Sequence, residues 1–238
     1  ISHDLKTPLT LILSPLQRLI QQPQISNNDK EKLEVIYRNA NRMNYLINEL
    51  LTFSKIEMKQ MRISVRKGDI MHFLEELSHI FDIVAGEREI DFIVNLEDTE
   101  EEVWFSPSKL ERILYNLLSN AFKYTQPGGY VKLSAKLIKE EKGTFVQISV
   151  KDNGRGIPKE AQEQIFESYY QVEKRDHREG FGLGLSLTRS LIHMHKGEIR
   201  VESEINKGSD FIVTLNVSED AYNPDERSSE NITTEEIQ

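Results

Sequence analysis

The chain begins ISHDLKTPLT, which places a histidine, an acid and a threonine on a predicted helix. An imidazole with its unperturbed pKa of about 6.5 is largely neutral near neutral pH, so a ring nitrogen of His3 can attack a phosphoryl group. Asp4 can orient the ring or take its proton, and Thr7 shares the face of His3 one turn later. Pro8 removes a backbone donor and predicts a bend. An isolated exposed histidine is usually an ordinary surface residue, so this interpretation depends on three further motifs.

The stretch NLLSNAFKY places Asn116 and Asn120 four residues apart, so both amides lie on one helical face, with Lys123 one turn further on. Amide oxygens suit Mg²⁺ beside the oxygens of a triphosphate, and a lysine adds a positive charge. A polar stripe on an amphipathic helix is the alternative explanation.

The stretch DNGRGI follows an apolar run that predicts a strand. A buried carboxylate at Asp152 only accepts hydrogen bonds, so it would select the amino group of adenine and reject the carbonyl of guanine. Gly154 and Gly156 let the backbone approach a ligand closely, although Asn-Gly after a strand is more often a simple turn.

In the stretch GFGLGLSL, Gly180, Gly182 and Gly184 lead into a predicted helix whose N-terminal amides can cradle a phosphate. The stretch lacks the Gly-Lys-Ser/Thr of a P-loop and the G-x-G-x-x-G of a dinucleotide-binding fold. The polar segment between Phe166 and Gly180 predicts a mobile lid. Its basic residues are Lys174, Arg175 and Arg178. They could reach phosphates, or they could belong to a solvated loop.

Two runs of apolar residues recur in steps of three and four, as amphipathic helices require. They are Leu5, Leu9, Ile12, Leu16 and Leu19, and then Leu33, Ile36, Ala40, Met43, Ile47 and Leu50. Asn28 with Glu31 three residues later resembles a capping box that starts the second helix. Two helices alone bury too little surface, so we predict that a second copy completes a dimeric four-helix bundle.

After residue 61 the pattern predicts a mixture of strands and helices. The strands are IDFIVNL, YVKLSAKLI, FVQISV, EIRVES and FIVTLNV, and the helices are IMHFLEELSHIFDIVAG, KLERILYNLLSNAFKY and LGLSLTRSLIHMH. Ser106 and Pro107 are predicted as the N-cap and first residue of the second helix, and Gly197 closes the third. His193 and His195 lie in a last turn, where cations are favoured, and are interpreted as structural. The order predicts an α+β sandwich with helices on one face of a mixed sheet.

Composition limits the classes of partner. The chain has 238 residues and a formal net charge of -9, which argues against a nucleic-acid or anionic-membrane surface. It has no cysteine, so disulfides and thiolate chemistry are excluded, and no apolar run reaches the roughly 18 to 20 residues that span a bilayer. We expect three parts: a hairpin over 1–61, an α+β domain over 62–217, and an acidic linker or disordered tail over 218–238.

In their order along the chain, the four motifs resemble the transmitter core of a bacterial sensor histidine kinase of two-component signalling. They are His-Asp-x-x-Thr-Pro, Asn-x-x-x-Asn-x-x-Lys, Asp-x-Gly-x-Gly and Gly-x-Gly-x-Gly, and the resemblance covers residues 1 to 217. It implies an α plus α+β chain: a helical hairpin forming a dimeric four-helix bundle, then an α/β sandwich ATP-binding domain of the histidine kinase, gyrase and chaperone type. The trailing segment indicates the hybrid subgroup, which carries a further C-terminal receiver domain.

The resemblance also implies a role for each motif residue. His3 is implied as the autophosphorylated residue, Asp4 as the acid that assists this step, and Thr7 as the residue that positions water when the family dephosphorylates its partner. The implied ATP contacts are Asn116 and Asn120 with Mg²⁺ and phosphate, Lys123 with phosphate, Tyr124 and Asp152 with adenine, Gly154 and Gly156 in the turn, Phe166 before the lid, and Gly180, Gly182 and Gly184 in the lid hinge and phosphate loop. The implied reaction phosphorylates His3 from ATP and passes the group to an aspartate of a receiver domain.

Some features depart from the family pattern. Ser106 stands where many relatives carry Asp, which we interpret as an exchange of N-caps with little consequence, and Asp210 replaces a frequent Thr in KGSDFIV. The chain begins with Ile and lacks the helix turns that normally precede the histidine. We therefore expect an excised, cytoplasmic part of a membrane-anchored sensor, which acts as a homodimer and itself contacts neither membrane nor nucleic acid.

Two other functions stay open at this point. ATPases of the gyrase and chaperone type resemble the same nucleotide fold, but they carry a glutamate one turn before the Mg²⁺ asparagine to activate water. That position is Asn116 in this chain, and an amide cannot act as a general base. A dimeric scaffold with a regulatory nucleotide site is the other alternative, against which the intact His3, Asn120 and Asp152 argue.

Overall fold

The computed structural model describes residues 2–22, 25–58, 60–99, 101–171 and 182–228, and at positions 2–10, 27, 42 and 45 it describes the backbone alone. Within these ranges a long helical hairpin is followed by a mixed α/β domain. None of the helices in the described ranges is both long and apolar enough to cross a membrane.

The hairpin consists of α1 (Ser2–Ile20) and α2 (Asn27–Glu57), which pack against each other. The backbone of α1 stays helical through Pro8. An apolar stripe stays open on the single chain, since Ile36 is 49% and Met43 is 55% exposed. The hairpin therefore cannot by itself bury the apolar residues that the sequence places along it.

The start of α2 differs from the prediction. Ser26 is the N-cap, and its hydroxyl oxygen accepts a hydrogen bond from the backbone N–H of Asp29 at 3.2 Å. The Ser26 hydroxyl also donates to the Asp29 carboxylate at 2.7 Å. The predicted capping box of Asn28 and Glu31 is wrong, because Asn28 already lies inside the helix and the serine two residues earlier satisfies the first free amides.

The α/β domain contains a five-stranded sheet and a separate two-stranded pair. Its strands are β1 (Arg66–Asp69), β2 (Asp91–Leu96), β3 (Glu102–Phe105), β4 (Tyr130–Glu140), β5 (Gly143–Asp152), β6 (Glu198–Glu204) and β7 (Gly208–Asn216). The order across the large sheet is β2-β4-β5-β7-β6, with β2 parallel to β4 and every other pair antiparallel. β1 pairs antiparallel with β3, and neither strand was predicted, because four-residue strands carry almost no alternating pattern.

Three helices pack on one face of the large sheet: α3 (Ile70–Arg88), α4 (Pro107–Tyr124) and α5 (Gly184–Met194). Alternate residues of β4, β5 and β7 point into the core that these helices cover, and the intervening residues face outward. The predicted sandwich, with its five strands and three helices, is confirmed.

The apolar pattern of α4 decides where its polar residues lie. Seven side chains of α4 face the core: Leu110, Ile113, Leu114, Leu117, Leu118, Ala121 and Phe122. Phe122 stacks on Phe81 of α3, with ring centroids 5.6 Å apart. Asn116, Asn120 and Lys123 follow the border of this face and are each half-buried. The packing of α4 therefore holds these polar side chains at the edge of the core.

α4 also joins the α/β domain to the hairpin. Nη1 of Arg112 donates to Oγ1 of Thr52 at 2.8 Å, and Nη2 donates to the carbonyl oxygen of Asn48 at 3.4 Å. Beside this contact, the rings of Phe53 and Tyr169 meet edge to face at 6.3 Å. The C-terminal half of α2 therefore rests against the domain through polar and aromatic contacts.

Residues 218–228, here called the C-terminal strap, pack on the domain in two short 3-10 turns. Tyr222 is only 2% exposed, and the backbone N–H of Val65 donates to the carbonyl oxygen of Glu226 at 2.8 Å. Ser228 in turn donates its N–H to the carbonyl oxygen of Val65 at 2.9 Å. The strap thus differs from the predicted linker, because one buried tyrosine and a backbone pairing anchor an otherwise acidic segment. Residues 229–238 lie outside the described residues.

His195 is fully buried at the end of α5. Its Nε2 accepts a hydrogen bond from the backbone N–H of Ser106 at 3.2 Å, and its Nδ1 donates to the carbonyl oxygen of Leu191 at 3.0 Å. Burial lowers the pKa of His195 from 6.5 to about 4, so the ring is neutral, and the predicted stabilisation of a cation does not apply to it. Ser106 and Pro107 occupy the predicted first positions of α4, but the Ser106 side chain makes no capping bond. His193 is exposed.

Because His195 is buried in its neutral form, we expect the stability of the protein to decrease as the pH is lowered. Between pH 6.5 and about pH 4 the unfolded chain binds a proton at His195 that the folded chain excludes, so this stability is complete above pH 6.5 and is lost on acidification. We expect the free energy of unfolding to fall by about 2 kcal/mol from this group between roughly pH 7.5 and pH 5. Urea titrations at both pH values measure it.

His195→Gln is expected to be less stable near neutral pH and to show a flatter dependence on pH. His193→Gln, on the exposed neighbour, is expected to keep the slope of the unchanged chain. If the free energy of unfolding of His195→Gln depended on pH as steeply as that of the unchanged chain, His195 would not be the source of the pH dependence.

Candidate nucleotide-binding site

Asn116 of α4 is held against the first two turns of α5. Its Nδ2 donates to Oγ1 of Thr188 at 2.8 Å. Its Oδ1 lies beside Gly184, so close that a Cβ on that glycine would be only 2.6 Å from it. The structure therefore brings together the asparagine motif and the last glycine of the glycine motif, which are far apart in the sequence.

Asp152 ends β5 as a buried carboxyl, 5% exposed. Its Oδ1 accepts a hydrogen bond from the backbone N–H of Gly154 at 2.8 Å. Burial raises the pKa of Asp152, and hydrogen bonds from the backbones of Gly154 and Ser209 oppose that rise. A carboxylate held in this way keeps acceptor capacity for a donor that enters the site.

The turn after β5 packs against the end of α4. A Cβ on Gly154 would collide with the carbonyl oxygen of Tyr124, and one on Gly156 would collide with the carbonyl oxygen of Glu204. Gly156 also has φ +70°, a conformation that favours glycine. The space at both glycines is taken by the chain itself. Gly154 lets the turn lie against the end of α4, and Gly156 lets it lie against the end of β6.

Two cations flank the ring of Tyr124. Nζ of Lys123 lies 4.8 Å from its centroid, and Cζ of Arg155 lies 4.3 Å from it. Nη1 of Arg88 donates to the carbonyl oxygen of Phe122 at 3.0 Å and so fixes the end of α4. This end of the site combines an aromatic ring, positive charge and the Asp152 carboxyl.

The base of the predicted lid is closed by backbone contacts. The N–H of Tyr169 donates to the carbonyl oxygen of Gly182 at 2.9 Å, and Gly182 has φ +70°. Phe166 is buried, with its ring 6.4 Å from that of Phe211 and with Cζ of Arg189 5.9 Å from its centroid. Phe166 and Gly182 thus mark the two fixed ends of the segment between them.

Several of the predicted site residues lie outside what the structure describes. The side chains of His3, Asp4 and Thr7 lie outside the described part of α1, and Gly180 lies outside the described ranges. The same holds for the three basic lid residues, Lys174, Arg175 and Arg178. Asn120 lies between the two ends of the site on α4 and is half-buried.

The two ends of the site are the Asn116 contact and the Tyr124 turn, which α4 separates by eight residues, or roughly 12 Å. In the described part of the chain no group of three or more His, Asp or Glu side chains could hold a metal ion. The amide oxygens of Asn116 and Asn120 are hard but uncharged ligands. They fit a Mg²⁺ ion that arrives with anionic phosphates, and they do not form a metal site without them.

Three residues near the site were missed by sequence reasoning. Thr188 follows Gly184 by four residues, so helical spacing could have placed it on the same face of α5. Ser209 lies opposite Asp152 only through the register of β5 and β7, and Arg155 reaches Tyr124 only through the turn. At the position noted as a departure, Asp210 accepts a hydrogen bond from the Ser149 hydroxyl at 2.6 Å.

Two family profiles match the chain. The His Kinase A (phospho-acceptor) domain matches residues 1–59, and the histidine kinase-, DNA gyrase B- and HSP90-like ATPase matches residues 105–219. Histidine kinase P4 of Formosa agariphila is 36% identical over 220 residues, which are 90% of this chain and 16% of the relative. Hybrid signal transduction histidine kinase D of Dictyostelium discoideum is 32% identical over 219 residues, which are 90% of this chain and 14% of the relative.

The fold is also similar to that of a solved structure. The crystal structure of full-length ShkA in complex with AMPPNP has a TM-score of 0.77 and 25% identity, and the match covers 91% of this chain and 44% of that one. A phospho-acceptor hairpin followed by an ATPase domain with this site defines a two-component transmitter core. The chain belongs to the sensor histidine kinase family. It spans 16% and 14% of the two relatives named above.

Gly184→Ala is expected to weaken nucleotide binding without unfolding the domain. The added Cβ would lie 2.6 Å from Oδ1 of Asn116, and the end of that side chain can move aside more easily than backbone. If the displaced Asn116 amide loses one hydrogen bond or ligand contact worth about 1 kcal/mol, binding becomes roughly fivefold weaker. Calorimetric titration with AMPPNP and Mg²⁺ measures the affinity.

Gly86→Ala is the matched control, because a Cβ at Gly86 of α3 would meet nothing within 4 Å. It is expected to keep the affinity and to raise the free energy of unfolding by about 0.5–1 kcal/mol. If Gly184→Ala bound AMPPNP as tightly as the unchanged chain, the prediction that Gly184 contributes to nucleotide binding would be wrong.

Proposed function

We propose that this chain is an ATP-dependent protein histidine kinase, which autophosphorylates His3 and passes the phosphoryl group to an aspartate of a receiver domain. The observation that supports this proposal most is the contact of Asn116 with the start of α5. Asn116 lies on α4, and the end of this same helix places Tyr124 against the Asp152 turn. A single helix thus links a proposed phosphate end and a proposed base end in a chain that carries His-Asp-x-x-Thr-Pro at residues 3–8.

His3 is the proposed acceptor of the phosphoryl group. A neutral ring nitrogen would attack the γ-phosphorus of ATP, the bond from that phosphorus to the bridging oxygen would break and ADP would leave, while Asp4 orients the ring or takes its proton. Thr7 positions water when the phosphorylated receiver is dephosphorylated. Bound Mg²⁺ would reduce the negative charge of the phosphates, and transfer then depends mainly on alignment with His3.

The α/β domain is proposed to hold ATP through two groups of residues. Asn116 and Asn120 hold Mg²⁺ and phosphate, with Lys123 adding positive charge. Tyr124 and Asp152 hold adenine, since the carboxyl accepts from the amino group of the base. The remaining proposed contacts are Gly154, Gly156, Phe166, Gly180, Gly182 and Gly184.

The proposed boundaries are 1–61 for the phosphoacceptor and dimerisation hairpin, 62–217 for the ATP-binding domain and 218–238 for the C-terminal segment. A homodimer is proposed because the apolar stripe of α1 and α2 stays exposed on one chain. The partner is proposed as a receiver domain, in line with the hybrid kinase among the relatives. We place the chain in the cytoplasm as part of a membrane-anchored sensor.

An ATPase function without a protein phosphoacceptor is disfavoured. The general base of such enzymes would occupy the position of Asn116, whose amide has no proton-accepting role at neutral pH. Its nitrogen is also already engaged with Thr188.

Incubation with γ-labelled ATP and Mg²⁺ tests the proposal. The unchanged chain is expected to take up label that is labile in acid and stable in alkali, and His3→Gln is expected to take up none. His79→Gln is the matched control, because His79 is an exposed histidine whose Nδ1 lies 3.1 Å from Asp82, and it should label normally.

Label retained in the His3→Gln variant would refute the assignment of the acceptor. Released phosphate without labelled protein would favour an ATPase instead. A chain that binds ATP and does neither would be a regulatory scaffold.

Asp152→Asn is expected to weaken ATP binding about 10- to 100-fold, because a hydrogen bond to a charged group is worth about 1.5–3 kcal/mol. The preference for ATP over GTP should narrow, since an amide can donate to the guanine carbonyl. Titration with the non-hydrolysable analogues of ATP and GTP measures the ratio of the two affinities. Asp220→Asn, on an exposed carboxylate, should leave the ratio unchanged.

A further inference from the structure

The Asn116 amide lies against α5, and its nitrogen is hydrogen-bonded there. Its nitrogen is bonded to Oγ1 of Thr188, which is 1% exposed, and its oxygen lies beside Gly184 one turn earlier. Asn116 itself is half-buried, so it stays open to a ligand while its amide is held from the inner side.

The direction of this amide is set by the surroundings. Its oxygen lies at the N-terminal end of α5, where the helix dipole is positive and where an amide NH₂ group would be disfavoured. Its nitrogen lies one turn deeper, against a hydroxyl oxygen that accepts its hydrogen bond. The dipole and the hydroxyl therefore favour the same orientation.

We infer that Thr188 is a positioning residue, which holds Asn116 with its amide oxygen presented to the phosphates and to their Mg²⁺. The inference rests on the proposed function of the site. Only the oxygen of an amide can coordinate Mg²⁺, so a freely rotating Asn116 would spend part of its time with the wrong group forward. Holding the amide before the ligand arrives removes that ordering cost from binding.

Thr188→Val tests this role because valine has nearly the shape of threonine without the acceptor. In calorimetric titrations of the full chain with AMPPNP, we expect affinity in the presence of Mg²⁺ to fall about fivefold, as for one lost hydrogen bond. Affinity in the presence of a chelator should change little. The gain in affinity that Mg²⁺ gives should therefore shrink.

Two control variants separate positioning from packing. Thr188→Ser keeps the hydroxyl and should restore the Mg²⁺ gain. Ser190→Ala removes another hydroxyl of α5, which donates to the carbonyl oxygen of Ser186 at 3.0 Å, and it should leave both affinities unchanged.

A double-mutant cycle asks whether Thr188 acts through Asn116. In an Asn116→Ala background, Thr188→Val should cause no further loss of affinity. Without any nucleotide, the side-chain amide protons of Asn116 should exchange faster with solvent in Thr188→Val than in the unchanged chain, as followed by NMR.

Equal losses with and without Mg²⁺, or a full further loss in the Asn116→Ala background, would show that Thr188 only packs, and would overturn the inference. If His3 is labelled and Mg²⁺ increases the AMPPNP affinity of Thr188→Val as much as that of the unchanged chain, the inference about Thr188 is overturned and the proposed function stands. Failure of the unchanged chain to bind AMPPNP would overturn both the inference and the proposed function.

Discussion

Burial of one face of α4 is the constraint on which the rest of the molecule depends. Because that face enters the core, the residues at its border are aimed at three different neighbours. Arg112 reaches α2, Asn116 reaches α5, and the end of the helix at Tyr124 meets the turn after β5. A shift of α4 would therefore move the hairpin contact and both ends of the site together.

This arrangement lets an acidic chain accommodate a polyanion. The formal net charge of -9 offers no general attraction for phosphates. In the proposed function, attraction comes from local groups: the N-terminus of α5, the amides of α4, and the cations beside Tyr124. Such groups act over short distances, so binding depends on geometry more than on the field of the whole protein.

The sequence allowed the large elements to be predicted because each carries its own periodicity. β1 and β3 are too short to show a periodicity and are defined by their pairing with each other. Nothing in the sequence around Tyr222 indicates that its side chain will be buried. His195 was correctly interpreted as structural for the wrong reason, since its neutrality follows from burial beneath residues distant in sequence. Motif spacing identified Asn116 and Asp152 as candidates, whereas the bond from Asn116 to Thr188 joins positions 72 apart.

The C-terminal strap has a consequence for anything attached to it. Val65, where the chain enters the α/β domain from the hairpin, is bridged to Arg227, so the entrance and the exit of the domain lie side by side. A domain joined to the strap through a Gly/Ser-rich linker of about ten residues would stay within roughly 18 Å of that point on average. It would face the base of the hairpin at an effective concentration in the millimolar range, whatever the concentration of the protein itself.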